Sequence, residues 1–300
     1  MLRPGGRGVH QSHEGLPVTR YNTLIAVERL AEHLGDPTWA IVDCRYRLAD
    51  LAFGRSAYAE SHIAGAVFAD IGDDLSGPLV RGETGRHPVP EVAALAATLS
   101  RWGIGQGVQV VAYDDSGGSM AARLWWLLRW LSHDAVAVLD GGWPLWQARG
   151  LPVRAGPERR PERQFVARER PELVWLAGQV EQARTDAACR VLDARNADRY
   201  HGENETIDPV AGHIPGAVSA PYVENLEPDG RFRSTEELRR RYLGLLGGVA
   251  ADRAGCYCGS GVTAAHDVLA MAHAGLGEAR LYAGSWSEWI TDPTRPVAVG

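Results

Sequence analysis

Cys258 is the residue of this chain whose surroundings most favour nucleophilic chemistry. It ends a short predicted strand, and two glycines, Gly259 and Gly261, separate it from a helix predicted over residues 262–274. Backbone N–H groups in such a bend have no intrahelical partner, and they add to the positive end of the helix dipole. We therefore expect the loop to stabilise a thiolate, and equally a second sulfur that carries negative charge. A buried packing cysteine before an ordinary turn is the alternative.

The loop at residues 258–264 resembles the active-site loop of the two-domain rhodanese-like sulfurtransferases. It reads Cys-Gly-Ser-Gly-Val-Thr-Ala, which is similar to the 3-mercaptopyruvate type of that family. The thiosulfate type carries basic residues where this chain has Gly259 and Ser260. The resemblance extends from about Tyr21 to Val297. It implies an enzyme that takes a sulfur from 3-mercaptopyruvate as a Cys258 persulfide, releases pyruvate, and passes the sulfur to an acceptor thiol or cyanide.

The resemblance also implies a set of site residues within the loop. Cys258 and Ser260 are the expected catalytic residues. The loop residues expected to contact the substrate are Gly259, Gly261, Val262 and Thr263. The hydroxyls of Ser260 and Thr263 could instead cap the following helix. Cys256 could resolve an oxidised Cys258, but a packing role is favoured because a Cys-x-Cys ring is strained.

Arg195 and Arg199 match arginines with which the family binds its substrate. A guanidinium forms two parallel hydrogen bonds with a carboxylate, which suits a keto acid. The spacing Asp193-x-Arg195 is repeated earlier in the chain as Asp43-x-Arg45, however, so a structural Asp–Arg pair is the alternative for Arg195.

His62 is a further candidate, because the family places a histidine of this turn near the domain interface as an assisting group. The same turn recurs at His213. The repetition favours the alternative in both copies, a histidine that binds the backbone of its own turn.

The chain is a doubled unit. The Asp-x-Arg segments, the His-Ile turns and the final Gly-x-Trp segments recur at offsets of about 150 residues, and Val110–Asp114 stands where Gly255–Cys258 stands later. Each unit alternates strands with helices, including helices predicted at 23–34, 92–102, 173–184 and 235–246. This order predicts an α/β fold of two tandem rhodanese-like domains, each a parallel sheet covered by helices on both faces. Sites of such sheets form at the carboxyl ends of strands.

The domain boundaries follow from this repeat. We expect a disordered lead-in at 1–18, a non-catalytic N-terminal domain at 19–153, a linker at 154–171 and a catalytic C-terminal domain at 172–300. The segment 154–170 contains six arginines and three glutamates, which cannot form a core. The first copy of the key loop carries Asp114 and no thiol, and the nearby helix with Trp125, Trp126 and Trp130 is expected to form core and interface.

Composition limits the partners. A net charge of −6 argues against nucleic acid, no apolar run is long enough to span a membrane, and four cysteines without a disulfide framework suit the cytoplasm. Neither a metal nor a cofactor is predicted, because no zinc-like spacing is present. The expected partners are a small sulfur donor and, as acceptor, cyanide, a small thiol or a thioredoxin-like protein. Thiosulfate as the donor is one alternative; a non-catalytic binding or regulatory module of the same fold is the other.

Overall fold

The computed structural model describes residues 20–300, so the whole lead-in predicted at 1–18 and the predicted start of the first domain at residue 19 lie outside the described residues. The described part of the chain forms two α/β units, each built around a parallel sheet. None of the helices in residues 20–300 has the length and apolar character that a membrane span requires.

Within residues 20–300, the first unit contains seven strands. They are β1 (Leu24–Ile25), β2 (Trp39–Asp43), β3 (His62–Ile63), β4 (Ala66–Phe68), β5 (Gln109–Tyr113), β6 (Val136–Leu139) and β7 (Val153–Arg154). Five of them form a sheet in the order β1-β6-β5-β2-β4, with every neighbouring pair parallel. The strands β3 and β7 form a separate antiparallel pair.

The second unit repeats this plan with four strands. They are β8 (Arg190–Asp193), β9 (Val218–Ser219), β10 (Ala254–Tyr257) and β11 (Arg280–Leu281). Their order is β11-β10-β8-β9, and all pairs are parallel. The strand β10 is central and ends one residue before Cys258, which therefore lies at the carboxyl edge of the sheet.

In the part of the chain that the structure describes, five helices accompany each sheet. Those of the first unit are α1 (Val27–Ala31), α2 (Phe53–Glu60), α3 (Val92–Arg101), α4 (Ala121–Trp130) and α5 (Gly142–Ala148). Those of the second are α6 (Ala177–Ala183), α7 (Ala197–His201), α8 (Thr235–Leu246), α9 (Ala264–His273) and α10 (Ser285–Trp289). Short 3-10 turns occur at Pro171–Leu173, Tyr222–Asn225 and Ala251–Arg253.

Alternation along the central strands decides which way Cys258 faces. In β10, Cys256 points into a large apolar core that both units share, whereas Tyr257 points into a core on the far face of the second sheet. Cys258 continues the alternation and joins the shared core. The helices α4 and α9 pack against each other in this shared core. The sulfur of the candidate nucleophile is therefore directed toward the first unit.

The first helix of each unit is shorter than predicted. At residues 23–34 the chain forms β1 and then only five helical residues, because the carbonyl of Thr23 accepts from Val138 and that of Ile25 from Asp140. At 173–184 the N–H of Trp175 donates to Leu281 and the helix begins at Ala177. In both units an edge pairing takes the backbone hydrogen bonds that a first helical turn would have used.

Other differences are smaller. The helix predicted at 262–274 begins at Ala264, and the helices α2 and α7 were not predicted. Residues 155–170 contain no helix or strand, as expected of a linker. They nevertheless hold to the first unit, where Phe165 is buried and Arg163 donates through its N–H to the carbonyl of Ser100.

Candidate active site

The loop after β10 encloses the sulfur of Cys258. The N–H of Gly261 donates to Sγ of Cys258 at 3.2 Å, and the residue is only 2% exposed. The loop is tied to the start of α10, since the N–H of Cys258 donates to Oγ of Ser285 at 3.0 Å and the N–H of Trp286 to the carbonyl of Cys258 at 2.9 Å. The backbone around the sulfur is thus fixed, with at least one amide turned toward it.

Gly261 cannot be replaced without moving this loop. Its φ is +76°, a region that residues with a Cβ rarely adopt. A Cβ at this position would also lie 2.2 Å from the carbonyl oxygen of Ala283. The amide that faces Cys258 therefore depends on the absence of a side chain.

His87 of the first unit reaches the loop of the second. Its Nδ1 lies 2.8 Å from Oγ of Ser260, a contact between residues 173 positions apart. Burial lowers the pKa of His87 to about 4, and the charges of Arg123 and Arg86 act in the same direction. The imidazole is therefore neutral at neutral pH, and the Ser260 hydroxyl is held by this histidine instead of capping a helix.

Arg123 of α4 is a fully buried cation beside the same loop. Its guanidinium donates to the carbonyls of Gly261 at 3.1 Å, His87 at 3.1 Å, Pro88 at 3.2 Å and Leu75. In residues 20–300 no carboxylate forms a salt bridge with it. Burial lowers its pKa to about 10, while a negative charge on Cys258 acts in the opposite direction. Arg123 thus stays charged at neutral pH, and an ionised Cys258 is a natural counterion for it.

Arg199 lies at the rim of the loop with a first-unit arginine. A Cβ on Gly259 would lie 2.7 Å from Nη2 of Arg86 and 3.5 Å from Nη1 of Arg199. Arg199 also pairs with Glu205 and with Asp208, at 2.9 Å in each case. Two guanidinium groups, one from each unit, therefore flank the residue that follows Cys258.

The two α/β units match a known family model. Residues 26–149 and 175–292 each match the rhodanese-like domain. The chain belongs to the rhodanese-like family. The expected fold class of two tandem rhodanese-like domains is confirmed.

Relatives of this rhodanese-like chain are sulfurtransferases by name. It is 48% identical to "Probable 3-mercaptopyruvate sulfurtransferase" of Pseudomonas aeruginosa, over 92% of this chain and 98% of the relative. It is 41% identical to "Putative thiosulfate sulfurtransferase SseB" of Mycobacterium tuberculosis, over 94% and 98% respectively. The solved structure of SseA from Escherichia coli superposes with a TM-score of 0.77 at 33% identity, covering 89% of this chain and all of that one. The predicted enzyme class, a sulfurtransferase, is confirmed.

Arg195 forms a buried pair with Asp193 in this rhodanese-like fold. Its Nε and Nη2 bind the two carboxylate oxygens of Asp193 at 3.0 and 2.6 Å, and its Nη2 also binds the carbonyl of Gly212 at 2.7 Å. The guanidinium lies 4.8 Å from the ring centroid of Trp286. Because the donor edge formed by Nε and Nη2 holds Asp193, these contacts favour a structural Asp–Arg pair, and the substrate-binding role of Arg195 stays a prediction.

His62 binds a carbonyl of the preceding helix α2, and not the backbone of its own turn as the alternative expected. Its Nδ1 lies 2.7 Å from the carbonyl of Tyr58, and its ring stacks on that tyrosine with centroids 4.1 Å apart. His213 repeats both contacts with Tyr200, at 2.9 and 3.8 Å. The first-unit histidine that reaches the loop is His87, for which the sequence offers no motif.

Three further residues considered in the sequence analysis are Val262, Thr263 and Cys256. Val262 is buried in the shared core, and Thr263 starts α9 without a side-chain capping bond. Cys256 is fully buried, and burial raises the pKa of its thiol well above the usual value, which favours the packing role. In residues 20–300 no group of three His, Cys, Asp or Glu side chains is arranged to hold a metal ion.

Proposed function

We propose that this chain moves a sulfur atom from 3-mercaptopyruvate to a thiol or cyanide through a persulfide on Cys258. The observation that carries the proposal is the hydrogen bond from the Gly261 amide to the Cys258 sulfur inside a closed loop. The donor is the one in the names of several relatives, including the one at 48% identity.

In the first half-reaction the Cys258 thiolate attacks the sulfur of the substrate thiol. The new S–S bond forms as the C–S bond breaks, and that electron pair moves to carbon as the enolate of pyruvate. The thiol proton ends on that carbon, so the products are pyruvate and an ionised persulfide. The loop amides and the buried Arg123 cation stabilise the negative charge on sulfur throughout.

Ser260 and His87 handle the proton in this scheme. The neutral imidazole lies 2.8 Å from the hydroxyl, so the pair can hold the proton of the substrate thiol and return it to the enolate. In the second half-reaction the acceptor thiolate or cyanide attacks the outer sulfur, and the electron pair of the S–S bond returns to Cys258. No oxidant is consumed in either half.

The test is a mass spectrum of the intact protein after incubation with 3-mercaptopyruvate. We expect a gain of one sulfur atom that is removed by cyanide and is not formed by Cys258→Ser. Pyruvate should appear in an equal amount. A protein that gains no sulfur with any donor would contradict the proposal and favour a binding or regulatory module.

Thiosulfate is the second candidate donor. The loop itself carries no basic residue, but Arg86 and Arg199 lie beside Gly259 and supply the positive charge that a dianion requires. The relative at 41% identity bears a thiosulfate name. The ratio of kcat/KM for the two donors decides between them, and we expect 3-mercaptopyruvate to be preferred.

We also propose the domain boundaries, the acceptors and the cellular location. The boundaries 19–153, 154–171 and 172–300 remain a prediction, in which the first domain lacks a nucleophile but supplies His87, Arg86 and Arg123. Acceptors are a small thiol or a thioredoxin-like protein. The free state of all four cysteines supports the cytoplasm as the location.

A further inference from the structure

The loop after β5 and the loop after β10 are each bound by a side chain of the opposite unit. Arg123 of α4 donates from Nη1 to the carbonyl of Gly261 at 3.1 Å, and Nε2 of His266 in α9 lies 3.0 Å from the carbonyl of Gly117. Both glycines are the third residue after the centre of their loop, and their φ angles are alike, +76° and +70°. Each unit therefore reaches across the interface to the equivalent carbonyl of the other.

The imidazole of His266 is fully buried, and both of its nitrogens have partners. Its Nδ1 lies 3.1 Å from Nδ2 of Asn225, which donates, so Nδ1 is the acceptor and Nε2 carries the proton that is donated to Gly117. Burial lowers the pKa of His266 to about 4, which keeps the ring neutral at neutral pH. The ring also stacks on Phe232, with centroids 4.4 Å apart. The position and the tautomer of His266 are thus both determined.

Asn225 joins His266 to a buried network of the second unit. Its Nδ2 also donates to Oδ1 of Asp267 at 2.8 Å, and its Oδ1 lies 2.9 Å from the hydroxyl of Tyr242. Nη1 of Arg241 donates to the same oxygen at 3.1 Å. Asp267 and Arg241 carry the charges of this network, and burial raises the pKa of Asp267 to about 7. Hydrogen bonds thereby connect α8, α9 and the turn that contains Asn225.

The loop after β5 is itself fixed in place. The carboxylate of Asp114 accepts four of its backbone N–H groups at 2.7 to 2.9 Å. Leu226 of the second unit occupies the place that a Cβ on Gly117 would need. The N–H of Phe232, also from the second unit, donates to Oδ1 of Asp140 in the first at 2.8 Å. The carbonyl that accepts from α9 is therefore a firm attachment point.

His266 lies in the first turn of α9, which begins at Ala264 directly after the loop that carries Cys258. We propose that His266 is a positioning residue for Cys258, because its bond to the loop after β5 keeps the start of α9 and the Gly261 amide directed at the sulfur. The inference rests on the proposed function for the role of that sulfur. The loop that lacks a thiol then serves the reaction as an anchor for the loop that has one.

The experiment measures the alkylation of Cys258 by iodoacetamide between about pH 5 and pH 10, by mass spectrometry of the peptide. His266→Phe keeps an aromatic ring but removes both hydrogen bonds, whereas His266→Gln keeps a donor for Gly117. His273→Phe is the matched control, because His273 ends the same helix and its Nδ1 lies 3.0 Å from Oγ1 of Thr23 in the first unit. Thermal unfolding of each variant establishes that it is folded.

For His266→Phe we expect the alkylation rate at pH 7 to fall by about threefold to tenfold, the size of a helix-terminus effect on a nearby charge. The midpoint of the pH profile should rise by about half a unit to one unit, since the thiolate is less stabilised. His266→Gln should recover most of the loss, and His273→Phe should keep the wild-type profile even where its melting temperature falls. An unshifted midpoint in His266→Phe, or an equal shift in His273→Phe, would overturn the proposal.

Asp114→Asn tests the same contact from the first unit. An amide oxygen accepts fewer of the four N–H groups than a carboxylate, so the loop after β5 should loosen around Gly117. We expect alkylation of Cys258 to slow by about twofold to threefold, and the double variant with His266→Phe to be no slower than His266→Phe alone, since both changes act through one hydrogen bond. An unchanged rate in Asp114→Asn, or losses that multiply in the double variant, would contradict the proposal.

These measurements need no sulfur donor, so they separate this inference from the proposed function. A wild type that forms no persulfide from 3-mercaptopyruvate would refute the proposed function and leave the alkylation comparison intact. A wild type that forms the persulfide, with His266→Phe unaffected, would remove only the role of His266.

Discussion

The loop after β5 and the loop after β10 occupy equivalent places in the two repeats, yet they hold different groups at their centres. In the first, the carboxylate of Asp114 accepts four backbone N–H bonds of 2.7 to 2.9 Å, from Ser116, Gly118, Met120 and Ala121. In the second, the sulfur of Cys258 accepts one, at 3.2 Å. Both loops direct backbone N–H groups at a group that can be negative, but only the second holds a thiol there.

Elsewhere the two repeats agree closely. The Asp43–Arg45 and Asp193–Arg195 pairs have the same contacts, with Nη2 to carboxylate distances of 2.6 Å in both. The guanidinium of each pair also lies over a tryptophan, at 4.6 and 4.8 Å. What both repeats share is therefore structural support. The features found in only one repeat are the ones that carry the proposed chemistry.

We expect the largest effect from Cys258→Asp, because this substitution places a carboxylate, the central group of the loop after β5, at the centre of the loop after β10. We expect a folded protein with no sulfurtransferase activity and no persulfide in the mass spectrum. The carboxylate can accept the loop amides as Asp114 does, so the melting temperature should stay near that of the wild type. Residual sulfur uptake in this variant would place the nucleophile elsewhere.

Gly261→Ala should lower kcat by about 100-fold or more, the cost of displacing one amide from a developing negative charge. The added Cβ collides with the carbonyl of Ala283 and disfavours the positive φ. Steady-state kinetics with 3-mercaptopyruvate measures the effect. Gly230→Ala is the control, since Gly230 also has a positive φ but no atom lies within 4 Å of its Cβ position. Similar losses in both variants would mean that backbone strain alone is responsible.

Arg123→Met removes the buried cation that the second loop faces. We expect alkylation of Cys258 by iodoacetamide at pH 7 to slow by about tenfold, because the buried positive charge beside the loop is lost. Arg129→Met is the matched control on the same helix, because Arg129 pairs with Glu278 and Asp134 and not with the loop. An unchanged alkylation rate in Arg123→Met would leave the amides as the only stabilising groups.

His87 adds to the second loop an imidazole whose pKa is lowered by burial. Its pKa is about 4 in the fold against 6.5 unperturbed, so the unfolded chain takes up a proton first as the pH falls. Its stabilising contribution is present above about pH 6.5 and is lost between about 6.5 and 4. Activity should fall as His87 is protonated near pH 4. His87→Gln keeps a hydrogen-bond partner for Ser260, and its activity profile should lose that acid limb; an unchanged limb would point to another group.

The smallest kinetic effect is expected from Arg195→Met, which tests the shared part of the repeats. Leaving Asp193 buried and unpaired should cost about 3–5 kcal/mol of stability, and Arg45→Met should cost a similar amount. In the fraction that remains folded, KM for 3-mercaptopyruvate should not change. A selective rise of KM in Arg195→Met alone would restore Arg195 as a substrate ligand.

Sequence patterns predicted the parts of this molecule that local interactions determine. The helix at 235–246 has the predicted bounds because Ser234 and Glu237 form a capping box. The Cys258 loop was found because cysteine, glycines and a helix start follow one another in the chain. The edge strand β1 was missed, since its hydrogen bonds depend on a partner more than a hundred residues away.

The site residues of the first domain could not be predicted for the same reason. His87, Arg86 and Arg123 contact groups 173, 122 and 138 positions away, across an interface that no local pattern encodes. Arg123 also lies in α4, a tryptophan-rich helix whose sequence is typical of a buried core helix. The repeat, by contrast, indicated a structural alternative for Arg195, because a feature present in both copies is seldom specific to one reaction.

The apolar core shared by the two sheets has a consequence for how the molecule melts. Residues of α4 and α9 belong to one continuous interior, so loss of packing in either half exposes part of the interior of the other. Denaturation should therefore occur as one cooperative transition in place of two. Any weakening of the first repeat, however distant from the sulfur, then reduces the population of competent enzyme in equal proportion.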